Sequence, residues 1–133
     1  MTGETSEEQL VTASYSGQTL EPRPFAAPLD SLLARVRAHT AVPFNHVLAN
    51  RYRDGHDSVA WHGDRNRHTH TDPLVATVSL GARRRFLLRP LGGATRVELH
   101  LGHGDLVVMG GACQHEWEHT VPKEARAAGP RMS

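Results

Sequence analysis

The sequence predicts a mainly β protein, a double-stranded β-helix (jelly roll) with one N-terminal helix. Short runs rich in Val, Leu, Thr and aromatic residues follow one another from about residue 44 onward, glycines punctuate them, and one helical pattern lies near the start. A length of 133 residues suits one domain with a single core.

In chain order, residues 1–12 read as a loose polar tail, ahead of a single domain over 13–133. Pro22, Pro24 and Pro28 mark an extended loop. Asp30 is placed to cap a helix over Ser31–Thr40, with Leu32, Leu33, Val36 and Ala41 on its buried side. Strands are expected at about 44–52, 58–63, 74–80, 84–90, 95–101, 104–109 and 115–121, separated by Gly55, Gly81, Gly92, Gly93, Gly102, Gly104, Gly110 and Gly111. Phe86, Leu87 and Leu88 are core positions. Trp61 alternates away from its neighbour His62 and is expected to pack.

Composition sets outer limits. The formal charge of +1 gives no global field, but residues 1–30 carry one basic and five acidic side chains, while 51–89 carry eight basic and four acidic. A basic stretch of that kind suits a passing phosphate backbone. For single residues a solvated arginine surface is the plainer expectation, as for Arg83, Arg84 and Arg85, where alternation turns Arg84 away from the other two. Cys113 is alone, so there is no disulfide framework and a reducing cytoplasm is the expected setting. Residues 1–9 lack the apolar run of a signal peptide, and no stretch approaches a membrane span. A monomer without a membrane partner is expected.

The chemistry-bearing residues are His62, Asp64, His119 and Arg131: an H-x-D pair, a histidine 57 residues beyond His62, and an arginine 12 further on. In an extended segment His62 and Asp64 point the same way, and a distant strand can bring His119 beside them. Two imidazoles and one carboxylate on one face of a ferrous ion leave positions open for a co-substrate and oxygen. Arg131 supplies a fixed cation able to clamp a dicarboxylate through two parallel hydrogen bonds. A competing motif overlaps: His115-Glu116-Trp117-Glu118-His119 matches H-E-x-x-H, the zinc-protease pattern, which requires a helix. The run Leu106–Met109 before Gly110-Gly111, and Pro122 after, instead read as strand and turn.

The surrounding sequence resembles the AlkB family of iron(II) and 2-oxoglutarate dependent dioxygenases. The resemblance is carried by the stretches 50–55 (Asn-Arg-Tyr-Arg-Asp-Gly), 57–64 (Asp-Ser-Val-Ala-Trp-His-Gly-Asp) and 76–82 (Ala-Thr-Val-Ser-Leu-Gly-Ala) with Arg85-Phe86. It continues through 103–109 (His-Gly-Asp-Leu-Val-Val-Met), Gln114, Trp117, His119, 121–123 (Val-Pro-Lys) and Arg131, so it spans about 44–131, with a weaker echo at Tyr15-Ser16-Gly17. It implies a jelly roll with His62, Asp64 and His119 as iron ligands, Asn50 and Tyr52 hydrogen-bonding 2-oxoglutarate, and Arg131 pairing with its distal carboxylate. The cofactors implied are Fe(II), 2-oxoglutarate and O2, and the partner is DNA or RNA carrying alkylated bases. Family chemistry hydroxylates an N-methyl group of a nucleobase, and the product releases formaldehyde.

Tyr15 lies where the family positions a tyrosine at the nucleotide pocket, where a flipped base needs an aromatic face. After the H-x-D pair many relatives continue with acidic residues, whereas this chain runs Asp64-Arg65-Asn66-Arg67-His68. Alternation leaves Asn66 facing the site, with an amide in place of a charge that would favour a cationic lesion. The family's Asn-x-Thr-Phe-Arg strand is expected to be missing after Arg131, and its N-terminal lid to be shortened. Two further readings stay open: a shortened relative that binds metal or nucleic acid without turnover, and an oxygenase acting on protein side chains or a small molecule.

Overall fold

The computed structural model describes residues 24–64, 74–127 and 129–133 in full and the backbone of 13–15 and 18–20. The expected tail over 1–12 lies outside the described residues. The chain divides into two compact units, Met1–Leu48 and Ala49–Ser133.

In the first unit β1 (Ala13–Tyr15) pairs antiparallel with β2 (Gln18–Leu20). Helix α1 spans Ala27–Thr40, four residues longer at its start than expected. Asp30 is therefore not its cap but a first-turn acid, favourably placed against the helix dipole, and Ala26 in an extended conformation is the N-cap. Pro28 belongs to the first turn rather than a loop, because the N–H it lacks has no intrahelical partner there. Leu29, Leu32, Leu33 and Val36 form the inward stripe, with Leu33 the buried member. Ala41 is exposed rather than buried: at φ 57° it ends the helix in the left-handed region, and its N–H closes onto the Arg37 carbonyl at 2.9 Å. Arg37 Nε donates to the Phe44 carbonyl at 2.6 Å, tying the outgoing chain to the last turn.

The second unit is antiparallel throughout: β3 (Arg51–Tyr52), β4 (Val59–His62), β5 (Val75–Val78), β6 (Leu80–Gly81), β7 (Arg84–Pro90), β8 (Val97–Leu101), β9 (Leu106–Met109), β10 (Trp117–Val121) and β11 (Arg131–Met132). They form sheets in the orders β4-β10-β7-β8, β3-β11-β6 and β5-β9. The class is the one expected, mainly β with one α-helix among the described residues.

Several strands are shorter than expected, and three of the differences bear on how the site is positioned. The strand expected over 44–52 forms only at Arg51–Tyr52. The run 74–80 breaks at Ser79, whose N–H turns to the Asp105 carbonyl and whose carbonyl accepts from Gly104, so the chain leaves β9 and joins β11. The run 115–121 begins only at Trp117, because Gly111–Gln114 first close a 3-10 turn that His115 ends. Arg131–Met132, where no strand was expected, lies between β3 and β6.

Tyr52, Phe86, Leu88, Leu101, Met109 and Val121 make the buried cluster, with Val59, Val75, Trp117 and others packed against it. One core-face residue of β7 is charged. Arg84 shares the side of β7 that carries Phe86 and Leu88, and it is 1% exposed, which corrects the expectation of a solvated arginine. Its burial is tolerated because every edge of the guanidinium is occupied: Nε donates to Glu124 Oε2 at 3.0 Å, Nη1 to the Asp54 carbonyl at 2.9 Å, and Nη2 to the Asp57 and Pro122 carbonyls at 2.8 and 2.6 Å. Arg85 turns outward to Glu98 at 2.8 Å, and Arg83 is exposed. Gly55 makes this lock possible, since a Cβ there would stand 1.7 Å from the Glu124 carbonyl oxygen.

Candidate functional site

The register of the four-stranded sheet positions two of the chemistry-bearing residues. His119, central in β10, lies opposite His62 of β4 on one side and Leu88 of β7 on the other. Directly opposed residues share a face, so both imidazoles leave the sheet on the Leu88 side. Phe86, two residues from Leu88, stacks on His119 with centroids 5.3 Å apart and planes at 23°. Trp61, on the other face, packs under the Arg89 guanidinium at 4.0 Å.

Asp64 follows β4 and closes the group. His62 Nε2 lies 3.5 Å from Asp64 Oδ1, His119 Nε2 lies 3.3 Å from Oδ2, and the two ring centroids are 4.3 Å apart. One ligand atom from each of the three residues falls within 4.8 Å of the others. The His62 ring is oriented by Nδ1 donating to the Ala60 carbonyl at 2.7 Å, which turns Nε2 toward Asp64. Packing on Phe86 holds the His119 ring, whose buried Nδ1 meets no hydrogen-bond partner among the described residues. Burial opposes the charge on Asp64, yet hydrogen bonds with His119 and His62 outweigh it and hold the carboxyl well below the usual carboxylate range. The hydrogen bond to Asp64, partly offset by burial, raises the His62 imidazole.

The zinc-protease pattern has no helix to sit on. His115 ends the 3-10 turn, His119 lies in a strand, and His115 is not part of the three-residue group.

The remaining expected residues separate cleanly. Tyr52 of β3 and Arg131 of β11 are direct cross-strand partners, and Asn50 exchanges both backbone hydrogen bonds with Ser133 at 2.7 and 3.0 Å. Alternation puts Asn50 on the side of Tyr52. Arg131 is 2% exposed: Nη2 donates to Ser79 Oγ at 2.8 Å, while Nε and Nη1 have no hydrogen-bond partner among the described residues. Burial pushes this guanidinium below the ordinary arginine value, and the nearby Arg84 adds repulsion that Tyr52 and Glu124 oppose. A buried cation with idle donors is a feature that an anionic ligand would explain. The strand carrying Tyr15 is described only in its backbone, and Asn66 lies outside the described residues.

Sequence reasoning missed three polar residues here. Gln114, 0% exposed, accepts the Asp64 backbone N–H on Oε1 at 2.7 Å. Ser79 orients Arg131, and Arg84 stacks over the Tyr52 ring at 5.6 Å on its way to the carbonyls it ties. The signal for Arg84 was its parity with Phe86 and Leu88. Gln114 and Ser79 stood inside the family-like stretches without a role that spacing could assign.

The description "2OG-Fe(II) oxygenase superfamily" matches residues 2–133, and the chain belongs to that superfamily, whose fold is the jelly roll and whose chemistry uses Fe(II), 2-oxoglutarate and O2. Within that superfamily, the chain is similar to AlkB-type proteins. It is 40% identical over 130 residues to the mouse alpha-ketoglutarate-dependent dioxygenase alkB homolog 3, an overlap of 90% of this chain and 46% of that protein. It is 39% identical to the human protein of the same name, with the same coverage. The mouse DNA oxidative demethylase ALKBH2 is 35% identical over 131 residues, 92% of this chain and 55% of that protein. The chain thus spans about half the length of these curated relatives.

The residues present fit the group that the superfamily employs. Two imidazole nitrogens and a carboxylate oxygen are a mixed donor set suited to ferrous iron, and three protein donors leave coordination positions open. The idle donors of Arg131 suit a carboxylate of 2-oxoglutarate.

Proposed function

We propose that this chain is the catalytic domain of an Fe(II) and 2-oxoglutarate dependent dioxygenase that oxidatively demethylates N-alkylated bases in DNA or RNA. The observation that carries the reading is the approach of His62, Asp64 and His119 to within 4.8 Å. His62, Asp64 and His119 would hold the iron; Asn50, Tyr52 and Arg131 would hold 2-oxoglutarate; Tyr15 and Asn66 would meet the base. Ferrous iron bound there supplies oxidation of the N-methyl group by dioxygen, with 2-oxoglutarate giving up two electrons as it becomes succinate and carbon dioxide.

The protein's own part is positional. The Ala60 carbonyl fixes the His62 tautomer, and Phe86 fixes the plane of His119. Asp64, held anionic, would offset part of the charge of a bound ferrous ion while leaving positions open. Arg131, oriented by Ser79, would offer its remaining donors to the distal carboxylate, where a charge-assisted hydrogen bond in a desolvated setting is strong. Apolar neighbours Phe86, Leu88 and Val121 keep water from the face that carries His119. The hydroxymethylated base then sheds formaldehyde. The similarity to proteins named alkB homolog 3 and DNA oxidative demethylase supports the nucleic-acid substrate. The free Cys113 suits a reducing cytoplasm, and action as a monomer completes the proposal.

The test incubates the protein with Fe(II), 2-oxoglutarate and oligonucleotides carrying N1-methyladenine or N3-methylcytosine, reading succinate and formaldehyde. Both products should form and vanish in His62→Ala and Asp64→Ala. Succinate formed without formaldehyde from any oligonucleotide would move the reading to another substrate class; neither product would leave a binding module.

A further inference from the structure

We infer that Gln114 is a positioning residue for the proposed metal centre, holding Asp64 in place through its backbone. The inference rests on the metal reading of His62, Asp64 and His119. Asp64 lies beyond the end of β4, so the ladder with β10 that fixes His62 does not reach it. Its N–H nevertheless has a partner: Gln114 Oε1, at 2.7 Å and 50 residues away in sequence. Gln114 is fully buried, and its own backbone is set by the 3-10 turn Gly111–Gln114 that leads into β10. The side-chain amide can take only one sense here, because the N–H requires an acceptor; Nε2 is then left 3.9 Å from Met109 Sδ.

A second observation brings the two segments together. Gly63 lies so close to this turn that a Cβ would stand 3.0 Å from the Gln114 carbonyl oxygen and 3.5 Å from that of Trp117. The H-x-D segment is thus pressed onto the turn at Gly63 and hydrogen-bonded to it at Asp64. The turn that delivers His119 to the site also sets where the carboxylate stands, so one element fixes donors from two distant parts of the chain. Outer partners of metal ligands typically change metal affinity by about 10–100-fold when removed.

The experiment uses the whole chain and two readouts. In the metal-free protein, amide exchange of Asp64 is followed by NMR; in parallel, Co(II) is titrated as the probe and followed by its absorption. Gln114→Leu keeps the shape and removes the acceptor, whereas Gln114→Glu keeps the acceptor. The expected result is faster Asp64 exchange and Co(II) affinity reduced by about 10-fold or more in Gln114→Leu, with both restored toward the parent in Gln114→Glu. Met109→Leu, which removes the sulfur beside the amide, should change neither. Unchanged exchange and affinity in folded Gln114→Leu would overturn the positioning role while leaving the metal site standing. A parent protein that binds no Co(II) would overturn both.

Discussion

Arg131 stands directly across the strand pair from Tyr52, its guanidinium carbon 5.4 Å from the ring centroid, while Arg84 approaches the same ring at 5.6 Å. The two arginines are buried alike but are unlike in what they touch. Arg84 has every nitrogen engaged, and Arg131 keeps Nε and Nη1 without a hydrogen-bond partner among the described residues. The first is built for the fold and the second is left ready for a ligand, which gives opposite expectations for their replacement.

Arg131→Met should leave the metal-free protein as stable as the parent or more so, because a buried cation without a carboxylate partner is replaced by an apolar chain of similar length. The same change should abolish the rise in Tm that 2-oxoglutarate gives the parent. Thermal scans with and without 2-oxoglutarate measure both effects. Ser79→Ala should act in the same direction more weakly, raising the KM for 2-oxoglutarate by loosening the guanidinium.

Arg84→Met should be severe, about 3–5 kcal/mol of stability, since it strands the Glu124 carboxylate and the carbonyls of Asp54, Asp57 and Pro122. Arg83→Ala, one residue away and exposed, should stay within about 0.5 kcal/mol. Urea midpoints of the two variants test the contrast.

The difference between these neighbours shows where sequence reading succeeded and where it stopped. Alternation along Arg84–Pro90 correctly turned Arg84 away from Arg83 and Arg85, and Phe86, Leu87 and Leu88, expected in the core, are all buried. Parity with Phe86 and Leu88 pointed Arg84 to the core side, but what makes its burial tolerable was not legible, because it depends on carbonyls contributed by the 54–57 and 122 segments. H-x-D spacing and a later histidine indicated which donors to consider, but the partnership of His62 with His119 is a register property that spacing alone leaves open. The early start of α1 was hidden by Pro28, a residue that reads as a loop signal yet sits without loss in a first turn. Gln114 could not be assigned because its partner is a backbone N–H distant in sequence.

Gly81→Ala should weaken co-substrate binding from outside the site. Gly81 has φ +92° and pairs with Arg131, and a Cβ would stand 2.5 Å from the Pro130 carbonyl oxygen. Relief of that clash displaces β11 and the Arg131 side chain with it. An increased KM for 2-oxoglutarate together with a lower Tm is expected, and a KM equal to the parent's would count against the coupling.

Metal should stabilise the chain by mass action. At a free concentration of about 100 times its Kd, a divalent cation that binds only the folded protein adds about 2.7 kcal/mol. Tm should therefore climb with added Mn(II) and fall back on chelation. In Asp64→Ala the curve should be flat.

The most direct test of the whole account is an anaerobic calorimetric titration of Fe(II) into the protein in the presence of 2-oxoglutarate, repeated for His62→Ala, Asp64→Ala, His119→Ala and His115→Ala. One equivalent should bind to the parent and to His115→Ala, and tight binding should disappear in the other three. Retention of tight binding when any of those three side chains is removed, or its loss with His115 alone, would contradict the site.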